Sequence, residues 1–192
     1  MRSLTPEQQQ AITRLVEHDE TILVAGTGVG KTVIALTAIQ EMIATTDVER
    51  VIVACPAKVL ATGVWTKEVE KWPHLKGLKV VPLLGTGAHR EATLEVNQDA
   101  HVWVISLNSL KWLLFRQPHN AQGVIIDELS KAAGKQTQRL KSEKCAGKLW
   151  WRVGMTATPV SQNFEKLYAM CRVIDRGAAL GTNKLNFMNS YF

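Results

Sequence analysis

The chain has 192 residues, room for one domain of ordinary size. Hydrophobic residues make up 46% and charged residues 21%, the balance of a folded protein with a packed core, which excludes disordered, collagen-like and disulfide-scaffold classes. Lysine and arginine exceed aspartate and glutamate by 23 to 17, a net charge of +6, and Lys131 to Arg152 holds seven basic residues against Glu143 alone; the whole excess lies there, as in either a polyanion-facing patch or a solvated lysine-rich helix.

In chain order, Thr5-Pro6-Glu7-Gln8 reads as an N-cap, a Pro at the first helical position and a capping-box Gln, followed by Ala11, Ile12, Leu15 and Val16 at helical spacing. Thr21 to Ala25 is a short β-rich run, then a glycine-rich turn, then Lys31 to Thr45 in a helical pattern. The alternation repeats: Val51 to Cys55 as strand, Val59 to Trp72 as helix, Leu78 to Leu83 as strand, Ala88 to Asn97 as helix, His101 to Ser106 as strand and Leu107 to Phe115 as helix. Val124 to Asp127, a helix over Lys135 to Cys145, Trp151 to Met155 and a helix over Asn163 to Asp175 complete it, and Gly177 to Phe192 is turn-rich and weakly patterned. Strands that alternate with helices pair in parallel, and strand runs without inside/outside alternation are covered on both faces. The expected fold is a three-layer α/β domain.

No apolar run approaches the ~20 residues of a membrane span, and the amino terminus has no secretory apolar region, so an intracellular domain is expected. Cys55, Cys145 and Cys171 are an odd set without CxxC spacing and read as reduced thiols. The five histidines show no metal-ligand spacing. Trp65, Trp72, Trp103, Trp112, Trp150 and Trp151 are expected to pack in the core or between lobes.

The strongest chemical signal is Ala25-Gly26-Thr27-Gly28-Val29-Gly30-Lys31-Thr32 between a strand and a helix. Glycines let successive N–H groups turn inward on phosphate oxygens, and the helix N-terminus adds its dipole. Lys31 can reach the β- and γ-phosphates and the Thr32 hydroxyl can ligate Mg²⁺. The pattern G-x-x-x-x-G-K-[ST] is met except at its first position, where Ala25 stands. Such a site needs a strand-end carboxylate for Mg²⁺, and Gly123-Val-Ile-Ile-Asp127-Glu128 supplies two acids: Asp127 for the metal, Glu128 to orient and deprotonate the attacking water.

With these motifs the chain resembles the first RecA-like lobe of a superfamily 2 helicase or translocase, most like the Swi/Snf-like branch and its versions in bacterial viruses. The likeness rests on Leu4-x-Pro6-x-Gln8, Ala25 to Thr32, Ala54-Cys55-Pro56 with Trp65-x-x-Glu68-x-x-Lys71-Trp72, and Val104 to Asn108. Asp127-Glu128-Leu129-Ser130 and Gly154-Met-Thr156-Ala-Thr158-Pro159 complete the order, with Asn163 and Leu167-Tyr168 behind. The resemblance implies a helicase ATP-binding domain over 1–175 and a tail, 176–192, leading toward a second lobe absent from this chain. It implies ATP and Mg²⁺ as cofactors and nucleic acid, expected to be DNA, as partner. Gln8 would read the adenine edge, Thr156 and Thr158 would couple the γ-phosphate state to lobe movement, and Lys58, Ser106 and Asn108 would contact backbone phosphates. Three positions depart from the family: Ser130 where His is usual, Ala133-Gly134 where Lys-Asn is frequent, and Glu7 where an aromatic often stacks on adenine. The arginine finger belongs to the missing lobe. Two other readings stay open, a single-lobe nucleotide- or nucleic-acid-binding interaction module without turnover and a small P-loop kinase, though the latter gives Thr156 to Pro159 no role.

Overall fold

A computed structural model of the protein describes residues 3–115, 120–132, 140, 149–158 and 164–191. Apart from Leu140, the expected helix over 135–145 lies outside these, as do Cys145, Ala133-Gly134, Pro159, Asn163 and five of the basic residues (Lys135, Arg139, Lys141, Lys144 and Lys148).

Helix α1 (Pro6–Glu17) starts at the predicted box: Gln8 N–H donates to Thr5 Oγ1 at 3.3 Å and Thr5 N–H to Gln8 Oε1 at 3.0 Å. Strand β1 (Glu20–Val24) leads into α2 (Lys31–Thr45), and β2 (Val51–Cys55) follows. One helix was expected over 59–72. Two are present, α3 (Ala57–Thr62) and α4 (Val64–Lys71), because Gly63 at φ 65° is both the C-cap of the first and the N-cap of the second. Next come β3 (Val80–Pro82), shorter than expected, α5 (Gly87–Val96) capped by Thr86, β4 (Val102–Ser106) and α6 (Leu107–Phe115). After β5 (Gly123–Ile126), a short α7 (Leu129–Ala132), β6 (Trp151–Thr156) and α8 (Phe164–Ile174), the segment expected to be weakly patterned contains a further helix, α9 (Lys184–Tyr191). Its Phe187 stacks on Tyr168 of α8 with ring centroids 5.0 Å apart, and Lys184 pairs with Glu165 at 2.9 Å.

All five strand pairings are parallel, in the order β1-β6-β5-β2-β4-β3. Alternate residues of each central strand enter two different cores. Val51, Val53, Cys55, Val102, Val104, Ile125 and Val153 pack with α1, α2 and α4 on one face. Ile52, Ala54, Trp103, Ile105, Val124 and Ile126 pack with α6, α7 and α8 on the other. Both cores are apolar, which is why the strands read as continuous hydrophobic runs. This is the expected three-layer fold. Close packing of the second face depends on Gly154, where a Cβ would stand 2.4 Å from Leu129 Cδ2 and 3.2 Å from Ile174 Cδ1.

Trp65, Trp72, Trp103 and Trp151 are buried as expected, and Trp151 Nε1 donates to Leu15 O at 2.8 Å. Trp112 is half-buried and packs against the second core, with the Arg90 guanidinium 4.7 Å from its ring centroid. Arg152, counted in the basic stretch, is fully buried. Its Nε donates to Leu149 O and its Nη1 to Leu140 O, both at 2.8 Å, so it ties backbone carbonyls inside the domain and adds nothing to a surface patch. Burial, then the Arg176 charge, lowers its pKa to about 10, partly offset by Glu20, so it stays cationic at neutral pH.

Candidate active site

Parallel pairing puts every strand's carboxyl end on one edge of the sheet, so the loops that follow share that edge. The loop after β1 turns through Gly28 at φ 81° and Gly30 at φ 87°. Gly30 is the N-cap of α2 and no side chain caps that first turn, which leaves the leading N–H groups without a side-chain acceptor. A helix start of this kind holds an anion through those N–H groups and the dipole. Position 30 needs glycine twice over, for its left-handed backbone and because a Cβ would stand 2.6 Å from Gln8 Nε2. Ala25, the departure from the loop pattern, is not among the positive-φ residues, so it needs no glycine. Its N–H donates to Thr156 O at 3.0 Å, tying the loop to the end of β6. Lys31 Nζ donates to Ala25 O at 2.9 Å and Gly26 O at 2.7 Å, which holds the ammonium over its own loop.

Two strands away, β5 delivers Asp127, whose N–H donates to Ala54 O at 2.8 Å. Burial, and next the neighbouring Glu128 charge, push the Asp127 carboxyl up; the Glu128 N–H, at 3.0 Å from Oδ1, Lys31 and Lys131 partly offset this. The Lys31 charge thus reaches Asp127 from the same sheet edge, which β1, β6 and β5 share. Glu128 sits at φ 56°, a backbone conformation uncommon for a non-glycine residue and found where a site fixes a side chain. Cys55, at the end of β2 beside Asp127, is a buried thiol pushed up to about 12, chiefly by burial and then by the Asp127 charge.

Thr156 is fully buried at the end of β6, between β1 and β5; its Oγ1 accepts from Thr158 N–H at 3.2 Å, closing a turn that holds Thr158 at the edge. Thr32 is half-buried in the first turn of α2. Gln8 donates from Nε2 to Val29 O at 3.0 Å, so the capping-box amide also grips the loop. It lines a cavity of about 580 Å³ with Thr5, Ala11, Leu23, Val24 and Gly28 among its walls. Thr5 and those apolar walls were not picked out from the sequence; the only signal was the capping box, which places Thr5 beside Gln8.

The phosphate loop and Gln8, the two acids and the Thr156 turn thus share the β1-β6-β5 half of the edge. Lys58, Ser106 and Asn108 stand on the other half, after β2 and β4. Lys58 and Asn108 are exposed, while Ser106 is buried and its Oγ accepts from Ser109 N–H at 3.3 Å as the cap of α6. The first half fits Mg²⁺–ATP by its donor chemistry: uncapped amides and an ammonium for phosphates, a hydroxyl and a carboxylate for a hard cation, and a second carboxylate beside them.

The DEAD/DEAH box helicase family matches over residues 5–167. A protein designated p41 of the Acyrthosiphon pisum secondary endosymbiont phage 1 is 29% identical over 205 aligned positions, covering 100% of this chain and 44% of that protein. The Sulfolobus solfataricus SWI2/SNF2 ATPase core in complex with dsDNA superimposes with a TM-score of 0.76 at 18% identity, covering 100% of this chain and 39% of that one. The fold is therefore that of a RecA-like helicase lobe, and the chain spans less than half of either relative.

Proposed function

This chain belongs to the DEAD/DEAH box helicase family, and from that premise we propose that it is the ATP-binding lobe of a nucleic-acid-dependent ATPase that hydrolyses ATP to move along DNA. The observation that carries the reading is the placing of the phosphate loop and the Asp127–Glu128 pair on one sheet edge, at the ends of β1 and β5 with β6 between.

In this reading the amides of Gly26 to Thr32 and the Lys31 ammonium bind the triphosphate, and Thr32 and Asp127 hold Mg²⁺. The cation, when bound, neutralises charge on the phosphoryl oxygens. Glu128 orients the attacking water and takes its proton. An amide has two donor hydrogens and two acceptor lone pairs; Gln8 has committed one of each, to Val29 O and Thr5 N–H, which leaves one of each for the adenine edge. With Glu7 where an aromatic is usual, the apolar walls Leu23, Val24 and Ala11 take over the packing of the base. Thr156 and Thr158 report the γ-phosphate state to a second lobe, which also brings the arginine finger. This lobe alone binds Mg²⁺–ATP weakly and turns over slowly or not at all.

The test is ATP hydrolysis by the full-length product of the natural reading frame, without nucleic acid, with single strands and with duplex. The expected result is stimulation by nucleic acid, and a fall of about 10²–10⁴ on Glu128→Gln with nucleotide binding intact. Rates that ignore both nucleic acid and Glu128→Gln would refute it, and no hydrolysis above background under any of these conditions would favour the interaction-module reading.

A further inference from the structure

Helix α6 has no acidic residue and buries Leu107, Leu110, Leu113 and Leu114. Its opposite stripe, at spacings of three, four and seven from Asn108, is Lys111, Trp112 and Phe115. Each aromatic of that stripe carries a cation. Arg90, from the first turn of α5, lies over Trp112 at 4.7 Å, and Lys111 lies over Phe115 at 5.9 Å. Phe115 is 49% exposed. The two helices are drawn together at this point: a Cβ at Gly87 would stand 3.5 Å from Trp112 Nε1, and Arg90 Nε donates to Thr86 O at 3.2 Å, which fixes the base of the guanidinium. The stripe begins at Asn108, on the half of the sheet edge that does not hold the nucleotide cleft.

We propose that Arg90 and Lys111, seated on Trp112 and Phe115, form a phosphate-binding track for a nucleic-acid strand running along the outer face of α5 and α6, beyond the exposed strand-end positions Lys58 and Asn108. A nucleic acid fits because two cations, Arg90 of α5 and Lys111 of α6, flank the face of α6, a helix without an acid, although α5 also carries Glu91 and Glu95, and because a guanidinium stacked on a ring offers phosphate a planar fork of donors. The aromatic faces hold the cations in place, so Trp112 is a positioning residue. The proposal rests on the nucleic-acid part of the proposed function and adds a second, separable contact to it.

The experiment is equilibrium binding of fluorescein-labelled single-stranded and duplex DNA to the 192-residue chain over a salt series. Its arms are the parent, Arg90→Ala, Lys111→Ala, Trp112→Leu and the Arg90→Ala/Lys111→Ala pair. Each lost phosphate contact lowers the magnitude of the log K against log[salt] slope by about 0.7 for single strands or 0.9 for duplex, and weakens binding by about fivefold to tenfold at 0.1 M salt. The pair should lose about twice the slope of either single variant, while Trp112→Leu should weaken binding and keep the slope. ATP binding should be unchanged in all. If the parent binds DNA and the paired variant matches it in affinity and slope, this proposal falls and the proposed function stands. If the parent binds no DNA, both fall. If the substitutions change only the sedimentation behaviour of the chain, the stripe is a contact between copies and the proposal is overturned.

Discussion

Asp127 is held against its own chemistry. A carboxyl pushed up by burial and by Glu128 is disfavoured in its charged form. The folded state then binds a proton more tightly than the unfolded state, so stability is greatest below the unfolded carboxylate range and declines as pH rises through the folded value. Burying this acid thus costs the fold stability at neutral pH. Asp127→Asn should raise the Tm of the nucleotide-free chain, by about 2–4 °C for each kcal/mol relieved in a domain of this size, while abolishing Mg²⁺-dependent nucleotide binding; a lower Tm would contradict it. Gly30→Ala works in the opposite sense. The left-handed backbone costs about 1–2 kcal/mol for an L-residue, and the added methyl displaces the Gln8 amide, so thermal melts should show lower stability and calorimetry should show lost ATP affinity. The placing of the glycine loop ahead of α2 and of the two acids at the end of β5 was legible in the sequence because it is local: glycine spacing and adjacent carboxylates mark the turns that follow their strands. That the Gln8 amide holds the loop was not, since the partner, Val29, lies 21 residues away.

At the scale of elements, Arg152 and α9 show where patterning misleads. A sequence count gives Arg152 to a basic surface, yet its guanidinium serves the carbonyls of Leu140 and Leu149 in the interior. Arg152→Met should strand those acceptors and cost about 3 kcal/mol, lowering Tm by about 6–12 °C. A neutral effect on the melt would mean that the carbonyls find other donors. Helix α9 has little pattern of its own because its formation is tertiary, through Phe187 on Tyr168 and Lys184 on Glu165. Phe187→Ala should therefore remove hydrogen-exchange protection from 184–191 and spare β2, β4 and β5; uniform loss across the sheet would show that the helix belongs to the global folding unit. The break at Gly63 escaped for a related reason, since apolar spacing continues through the glycine and only the backbone turns.

For the whole molecule, parallel pairing is what assembles the site. The loop lies far along the chain from the acids and the Thr156 turn, and the three come to one edge because β1, β6 and β5 are neighbours. The same order sends Lys58, Ser106 and Asn108 to the other half of the edge. The α/β alternation was readable in sequence; the strand order that creates this division was not, because it is fixed by crossovers and packing. The most direct measurement is titration calorimetry of Mg²⁺–ATP into the chain and into Lys31→Ala and Asp127→Ala, with circular dichroism to confirm that the variants fold. The account predicts saturable binding by the parent, none by Lys31→Ala, and loss of the Mg²⁺ dependence in Asp127→Ala. Folded variants that bind as tightly as the parent would contradict it.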